Sequence, residues 1–427
     1  MKKFIAILLV ALLALTTVFA QGAKETATTA APATAKTEIT WWSFPTFGLD
    51  GATEAELIKA FEAANPNITV KLEMIDFTSG PNKLTAAIEG GAAPDVLFDA
   101  PGRIIEYGRN GKLVALDGMF TSELKADATS AALLNACSDG TTYWMYPQSS
   151  SPFCMSINKE MWEKAGAWQY VNTEGARTWT TENFAKAMEA LGKAGYVGLN
   201  VYCGGQGGDQ GTRALVSNLY SATMANADNT KYTMDSPEGI KGLKLLLDLY
   251  KKGAIDAGMG IVAGDELQLY QQEMIASSIC WGTSNAKNYK SDAYTQFVIP
   301  FPSEDGKPAL EYLVNGFCVF NNKNDAKAEA AKKLIAFICD DPTYGPKAVK
   351  ATGAFPIRAS FGNLYEGDAQ YELLAEFTKY YGGYYNTMKG FAAMRTQWWN
   401  MLQFIFSGDK SVETAVADYA KASNANL

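Results

Sequence analysis

Residues 84 to 118, LTAAIEGGAAPDVLFDAPGRIIEYGRNGKLVALDG, constrain the fold more than any other stretch. Leu84, Ala87 and Ile88 share one helical face, and Gly90 and Gly91 can end that helix, because glycine takes the left-handed conformation a helix end needs. Pro94-Asp95 leads into Val96-Leu97-Phe98, short and wholly apolar, as expected of a strand covered on both faces. Asp99-Ala100-Pro101-Gly102 breaks the run, and Ile104, Ile105, Gly108 and Leu113 continue as another helix. In an open α/β sheet, ligands bind beyond the carboxyl ends of the strands. Asp99 to Arg103 would lie there.

The residues before this stretch keep the same rhythm. Ile39-Thr40-Trp41-Trp42 reads as the first strand. Thr53 to Glu56 has capping-box spacing ahead of a helix with Leu57, Ile58 and Phe61 on one face. Ile68, Val70, Leu72 and Met74 then alternate with polar residues, as in a half-buried strand. Strand and helix in alternation predict an α/β fold with a mostly parallel sheet. Further on, Ser236-Pro237-Glu238 is a helix start with proline at the first position. Leu313 to Phe320 reads as a buried strand, and Asp325 to Ile338 as a helix. A chain of 427 residues can form two lobes, each with its own core.

Composition and the N-terminus exclude several function classes. Met1-Lys2-Lys3, the apolar run Phe4 to Leu15 and the small-residue exit Val18-Phe19-Ala20 predict a secretory signal peptide over 1–20, cleaved near Ala20-Gln21. The apolar run is too short to span a membrane, and no cysteine follows it to carry a lipid anchor. Residues 21–37 are rich in alanine and threonine and read as a flexible tether. The formal net charge is −8; loss of Lys2 and Lys3 would leave 35 basic against 45 acidic side chains, or −10. That balance argues against binding nucleic acid or an anionic membrane. With no histidine in the chain, Ser-His and Cys-His nucleophile pairs and His-containing zinc sites are excluded. No metal and no cofactor are expected. The six cysteines (Cys137, Cys154, Cys203, Cys280, Cys318 and Cys339) are widely spaced, with no C-x-x-C. Buried thiols and disulfides both remain open readings.

The 84–118 stretch also resembles the signature of the maltose-binding-protein-like family of extracellular solute-binding proteins, the sugar-capturing components of ATP-driven (ABC) importers. The resemblance rests on Gly90/Gly91, Pro94-Asp95-Val96, Tyr107, Gly111, Leu113, Leu116 and Asp117. Further stretches resemble the family in order. They include Tyr143 to Asn158, Asn158-Lys159-Glu160 through Ala165-Gly166, Thr178-Trp179-Thr180 through Phe184, and Gln272 to Asn285. Val298 to Pro302, Gly353 to Arg358, and Ser407-Gly408 through Ala415 complete the series. The resemblance implies a type II-like periplasmic binding protein fold with a ligand cleft between two lobes, each a mostly parallel sheet flanked by helices. It places lobe one at 38–149 plus 303–345 and lobe two at 150–302 plus 346–427. It further implies capture of a mono- or oligosaccharide, hinge closure, and delivery to permease subunits in the inner membrane, by a monomer in the periplasm without catalysis.

Sugars present apolar ring faces and dense hydroxyl rims, so a sugar site needs aromatic planes and planar polar groups. Trp42 and Ser43 end the first strand, and Asp99 and Arg103 occupy the loop that in the family faces ligand. Ser149 and Ser150 stand in the first crossover, while Tyr202, Gln206 and Asp209 lie in and around the glycine-rich run 204–211. No Gly-Lys-Ser/Thr follows those glycines, so a phosphate loop is excluded. Trp281 matches the family's stacking tryptophan, Asn315 sits within the 313–320 strand, and Arg358 ends the last crossover. Each has a plain alternative: a core tryptophan, a helix cap, a surface charge or a hinge salt bridge. One position departs from the pattern. Maltose-binding relatives carry a stacking aromatic 13 residues before the closing glycine, and counting back from Gly408 gives Arg395, with Trp398 and Trp399 one turn later. Arg395 could pair with an acidic sugar or another anionic group. Two other functions compete with sugar capture: the same fold with a polyamine, phosphoglycerol or other anionic cargo, and an exported glycoside hydrolase using two carboxylates.

Overall fold

A computed structural model describes residues 36–427 except Leu49, Thr78 and Gln206. The expected signal peptide, nearly all of the expected tether, and the candidate Gln206 lie outside the described residues. Among the described residues eight strands form: β1 (Thr37–Ser43), β2 (Ile68–Met74), β3 (Val96–Asp99), β4 (Tyr146–Asn158), β5 (Ser277–Gly282), β6 (Gln296–Ile299), β7 (Tyr312–Val319) and β8 (Phe355–Pro356). Their order is β2-β1-β3-β7-β4-β5, with β6 and β8 also paired to β4. Helices flank this sheet throughout.

The buried apolar residues separate into two cores. One surrounds β1, β2, β3 and β7, where Phe317 lies 5.6 Å from Trp41 and 4.7 Å from Phe98 between ring centroids. The other surrounds β5, β6 and the second half of β4, under the helices Thr181–Lys193, Gln210–Leu219, Pro237–Lys251 and Phe391–Ser407. The chain passes between them along β4, near Leu310–Tyr312, and near Phe355–Ile357. The α/β architecture is as expected, but the pairing is more antiparallel than a mostly parallel sheet. Among the described strands, β1 runs parallel to β2 and β3, and all other strand pairings are antiparallel. The reason is connectivity: β4, β7 and β8 are the passages between cores, and neighbouring passages run in opposite directions.

The Pro94-Asp95-Val96 motif has a structural explanation. The buried Asp95 carboxylate accepts from Thr40 N (2.8 Å), Asn322 Nδ2 (2.9 Å) and Lys327 Nζ (3.0 Å). It thus fastens β1, the start of β3 and the helix Asp325–Asp340 at one point. The expected helix start forms at Ser236, and Asn158, Thr180 and Ser411 cap helices in the same way, each accepting from the amide three residues on. The expected capping box at Thr53 to Glu56 does not. The helix Ala52–Ala64 starts from Gly51, and Glu54 is buried within hydrogen-bonding distance of Ser43 Oγ, which donates to it at 3.0 Å. All six cysteines are buried free thiols. Among the described residues, no helix is long and apolar enough to cross a membrane.

Glu266, on the helix Ala263–Gln271, gives the second core a pH dependence. It is fully buried, accepts from Ser278 Oγ (2.8 Å) and Ile279 N (2.7 Å), and burial pushes its pKa up to about 8. The folded chain therefore keeps a proton that the unfolded chain releases at the ordinary carboxyl value. The stabilisation is complete below that ordinary value and is lost as pH rises towards 8. Glu266→Gln carries no titrating proton there. Calorimetric melting from pH 4 to 9 should show the variant gaining on the wild type between pH 5 and 8 and holding level above. A constant difference across the range would contradict the assignment.

Candidate functional site

Strands β1, β2 and β3 end side by side, with Ser43 paired to both Met74 and Phe98. Beyond them Ala100 is extended and Pro101 opens the helix Pro101–Arg109. One turn of helix brings Arg103 back over Asp99, and the two form a bidentate pair, Nε to Oδ2 and Nη2 to Oδ1, both at 2.6 Å. The guanidinium carbon also lies 5.1 Å from the centre of the Phe44 ring. Burial works against the Arg103 charge, but Asp99 outweighs it, with Asp209 adding to the effect, and the pKa is raised.

Asp209 comes from the second core. The chain reaches it through Gly208, whose φ is +72° and whose Cβ, if present, would overlap Ala263. Only glycine fits this approach. Asp209 opens the wholly buried helix Gln210–Leu219 and is itself 2% exposed. Its carboxylate receives Arg395 Nε at 2.9 Å and Nη2 at 2.7 Å, and it pairs with Arg213 one turn along its own helix. Burial alone would raise the Asp209 pKa; the two guanidiniums reverse this and lower it. Arg213 Nε donates to Tyr385 Oη (2.6 Å), which donates to Glu311 (2.5 Å). Burial raises the Glu311 pKa against the pull of Arg213. Arg213 Nη1 and Glu311 Oε2 are buried without an aligned hydrogen bond.

The two halves touch at Phe391. Its ring is 5.7 Å from the guanidinium carbons of both Arg213 and Arg395, and it fills the space where Gly102 would carry a Cβ. The Glu106 carboxylate meets the backbone amides of Phe391, Gly390 and Ala392 at the start of the helix Phe391–Ser407. Gln210 Nε2 donates to the Tyr312 carbonyl at 3.4 Å.

The structure therefore brings four candidates together: Asp99, Arg103, Asp209 and Arg395. Others are placed apart. Trp42 is buried under Lys83, whose Nζ is 5.1 Å from the ring centre, and Ser43 donates to Glu54. Tyr202 donates to the Gly208 carbonyl at 2.7 Å and so supports the turn into Asp209. Trp281 is fully buried, edge-on to Tyr270 at 5.5 Å, with an unpartnered indole N–H. Trp398 is also fully buried and donates to Thr212 Oγ1 at 2.9 Å. Ser149 pairs with half-buried Asn315 across the β4–β7 ladder. Arg358 pairs with Asp340 and Asp127 and also donates to Tyr146 Oη, so it braces the passage beside β8. Ser150 lines a separate cavity of about 480 Å³ with Tyr312, Phe355 and Tyr381.

Sequence reasoning missed Arg213, Glu311, Tyr385, Phe391 and Phe44. Arg213 was within reach, since it stands four residues after Asp209 where a helix makes such pairs. The others meet across long separations that leave no local signal.

Two cores joined by three passages, with polar residues facing each other where they meet, define a two-lobed solute-binding fold. The family model for bacterial extracellular solute-binding proteins matches residues 56–397, and the chain belongs to that family. Curated relatives from Brucella abortus (strain 2308) and Brucella suis biovar 1 (strain 1330), each named as a binding protein, are 27% identical over 234 residues. That match covers 52% of this chain and 53% of theirs, so the chain spans about half the length of these relatives. Among solved structures, a Thermotoga lettingae ABC-transporter solute-binding protein bound to α-D-tagatose superposes with a TM-score of 0.76 at 21% identity, over 91% of this chain and 99% of that one. The acarbose-binding GacH receptor of Streptomyces glaucescens gives 0.76 at 16%, over 92% and 98%. UgpB of Mycobacterium tuberculosis, solved with glycerophosphocholine, gives 0.72 at 19%, over 92% and 99%. These likenesses show the fold.

Removing the carboxylate that Arg395 shares with the buried Arg213 leaves buried charge uncompensated, at a cost of roughly 3–5 kcal/mol. Asp209→Ala should lose that much in urea unfolding. Arg395→Ala leaves Asp209 paired with Arg213 and should lose clearly less. Equal losses, or no loss for Asp209→Ala, would contradict the charge network.

Proposed function

We propose that this chain captures a carbohydrate between its two lobes and delivers it to the permease subunits of an ABC importer, working as a monomer in the periplasm after removal of its signal peptide. The observation that carries this reading is the approach of two carboxylate–guanidinium pairs, Asp99–Arg103 from one core and Asp209–Arg395 from the other, close enough for the Asp209 charge to act on Arg103. Such a pair suits a sugar rim: a hydroxyl can donate to the carboxylate while accepting from the guanidinium, and a neighbouring hydroxyl can repeat the pattern. The buried rings of Phe44, Phe391 and Tyr385 pack beside these guanidiniums and hold them in place. Among Asp99, Asp209, Glu311, Arg103, Arg213 and Arg395 the opposite charges balance in number, which suits a neutral cargo. The tagatose and acarbose complexes of the similar folds support the same reading.

We read the site as one for binding without turnover, in line with the family. Asp209 is held ionised by two guanidiniums, so it is no ready proton donor for glycoside cleavage. A second reading draws on Glu311. Its raised pKa would, on protonation, leave the arginines in excess and favour an anionic cargo, in line with the glycerophosphocholine complex of a similar fold.

Thermal unfolding of the mature protein, freed of endogenous ligand, separates these readings. The panel holds neutral mono- and oligosaccharides, uronic acids, phosphoglycerol compounds and polyamines. A ligand bound only by the native state adds about 2.7 kcal/mol at a hundredfold excess over its dissociation constant. A rise in melting temperature with a neutral sugar, lost in Arg103→Ala and in Arg395→Ala, is expected. A response confined to anions or polyamines would overturn the sugar assignment.

A further inference from the structure

Phe77 is 54% exposed, the largest exposure of any phenylalanine singled out among the exposed hydrophobics of the described residues. A single exposed hydrophobic is ordinary on a protein surface. Its placement is what matters. The sheet order β2-β1-β3 sets three loops in a row at the carboxyl ends of the parallel strands, the side where ligands bind in such sheets. One side chain follows each strand: Arg103, in the first turn of the helix after β3, Phe44 after β1, and Phe77 after the edge strand β2. They are in contact along the row. The Arg103 guanidinium carbon is 5.1 Å from the Phe44 ring centre, and the Phe44 and Phe77 rings stack at 4.8 Å with planes 7° apart. Phe44 is 1% exposed, so the accessible aromatic surface of this row belongs to Phe77.

Described residues on both sides of Phe77 are hydrogen-bonded. Ile75 N donates to the Ser43 carbonyl at 3.0 Å. Ser79 donates through its amide to Asp76 at 2.6 Å and through its hydroxyl at 2.5 Å. Gly80 leaves no room for more than a tight Cβ against the Phe44 ring and Ile75. Stacked on Phe44, the ring is already oriented before binding, which lowers the ordering cost.

Resting on the carbohydrate reading, we propose that Phe77 is an aromatic platform at the outer end of the lobe-one wall, which extends the site from one sugar ring at Arg103 to a second ring stacked on Phe77. The site would then select oligosaccharides over monosaccharides. A ring at Arg103 would meet the charged pairs, and the next ring along the chain would place its apolar face on Phe77. Covering one ring face on each partner corresponds to about a tenfold gain in affinity for that step in chain length.

The test is titration calorimetry of wild type, Phe77→Ala and Phe77→Trp with glucose, maltose, maltotriose and maltotetraose, with the cello-oligosaccharides of the same lengths, and with the matching series for any other sugar that raises the melting temperature. Wild-type affinity should rise from the monosaccharide to the longer sugars. Phe77→Ala should lose about tenfold on the longer sugars alone, and Phe77→Trp should keep their affinity. The proposal is overturned if wild-type affinity does not grow with length, if Phe77→Ala weakens all lengths equally, or if it binds every length as the wild type does. In those three cases the carbohydrate reading still stands. If no sugar binds the wild type, that reading fails and the platform fails with it.

Discussion

The Asp209 carboxylate, buried between Arg213 and Arg395, is the interaction on which the site depends. A carboxylate this deep would be strongly penalised alone. Two guanidiniums reverse the penalty, and their geometry then dictates the surroundings. Arg213 must stand one turn along the same buried helix, and Arg395 must arrive from a helix 186 positions away in sequence. Gly208 must turn the chain tightly against Ala263 to deliver the carboxylate. Tyr385 and Glu311 complete the shell by taking the remaining face of Arg213. A change at any of these positions acts on the charge balance of the whole cluster.

The same cluster couples the two lobes. The Asp209 charge reaches Arg103 across the junction, Phe391 packs on Gly102, and Glu106 faces the amides that open the Phe391–Ser407 helix. Arg103 and Glu106 share one helix of lobe one. Phe391 and Arg395 share one helix of lobe two. Groups suited to contact a solute are thus less than two turns from the groups that hold the lobes together. A solute bound by both pairs would favour the conformation in which they meet, which is how a ligand shifts a hinge equilibrium. The passages β7 and β8 both hydrogen-bond to β4, so one ladder joins the two cores.

Much of the fold was legible because its signals are local. Ser236 with Pro237 was readable as a helix start, because capping chemistry lies within a few residues. Pro94-Asp95-Val96 was legible as a motif, although its reason, the anchoring of Thr40, Asn322 and Lys327 by Asp95, was not. The expectation of a mostly parallel sheet came from the strand–helix rhythm of residues 38–118, which holds for β1 to β3. It did not carry to the passages, whose directions depend on how often the chain changes lobe. In the site, Asp99 and Arg103 were readable from their place after a strand, and Arg395 from a broken pattern. Trp281 and Trp398 show the limit of residue type: a tryptophan suits a sugar face or a core, and both are fully buried here. Glu311 and Tyr385 were invisible because their meaning lies in each other and in Arg213, far away along the chain.

The most direct test is a crystal structure of the protein with the solute that raises its melting temperature most. The account predicts a sugar ring in contact with both Arg103 and the Asp209–Arg395 pair, with hydroxyls shared between carboxylate and guanidinium. A solute found instead in the cavity beside Ser150, Tyr312 and Tyr381, with the charge cluster untouched, would contradict it.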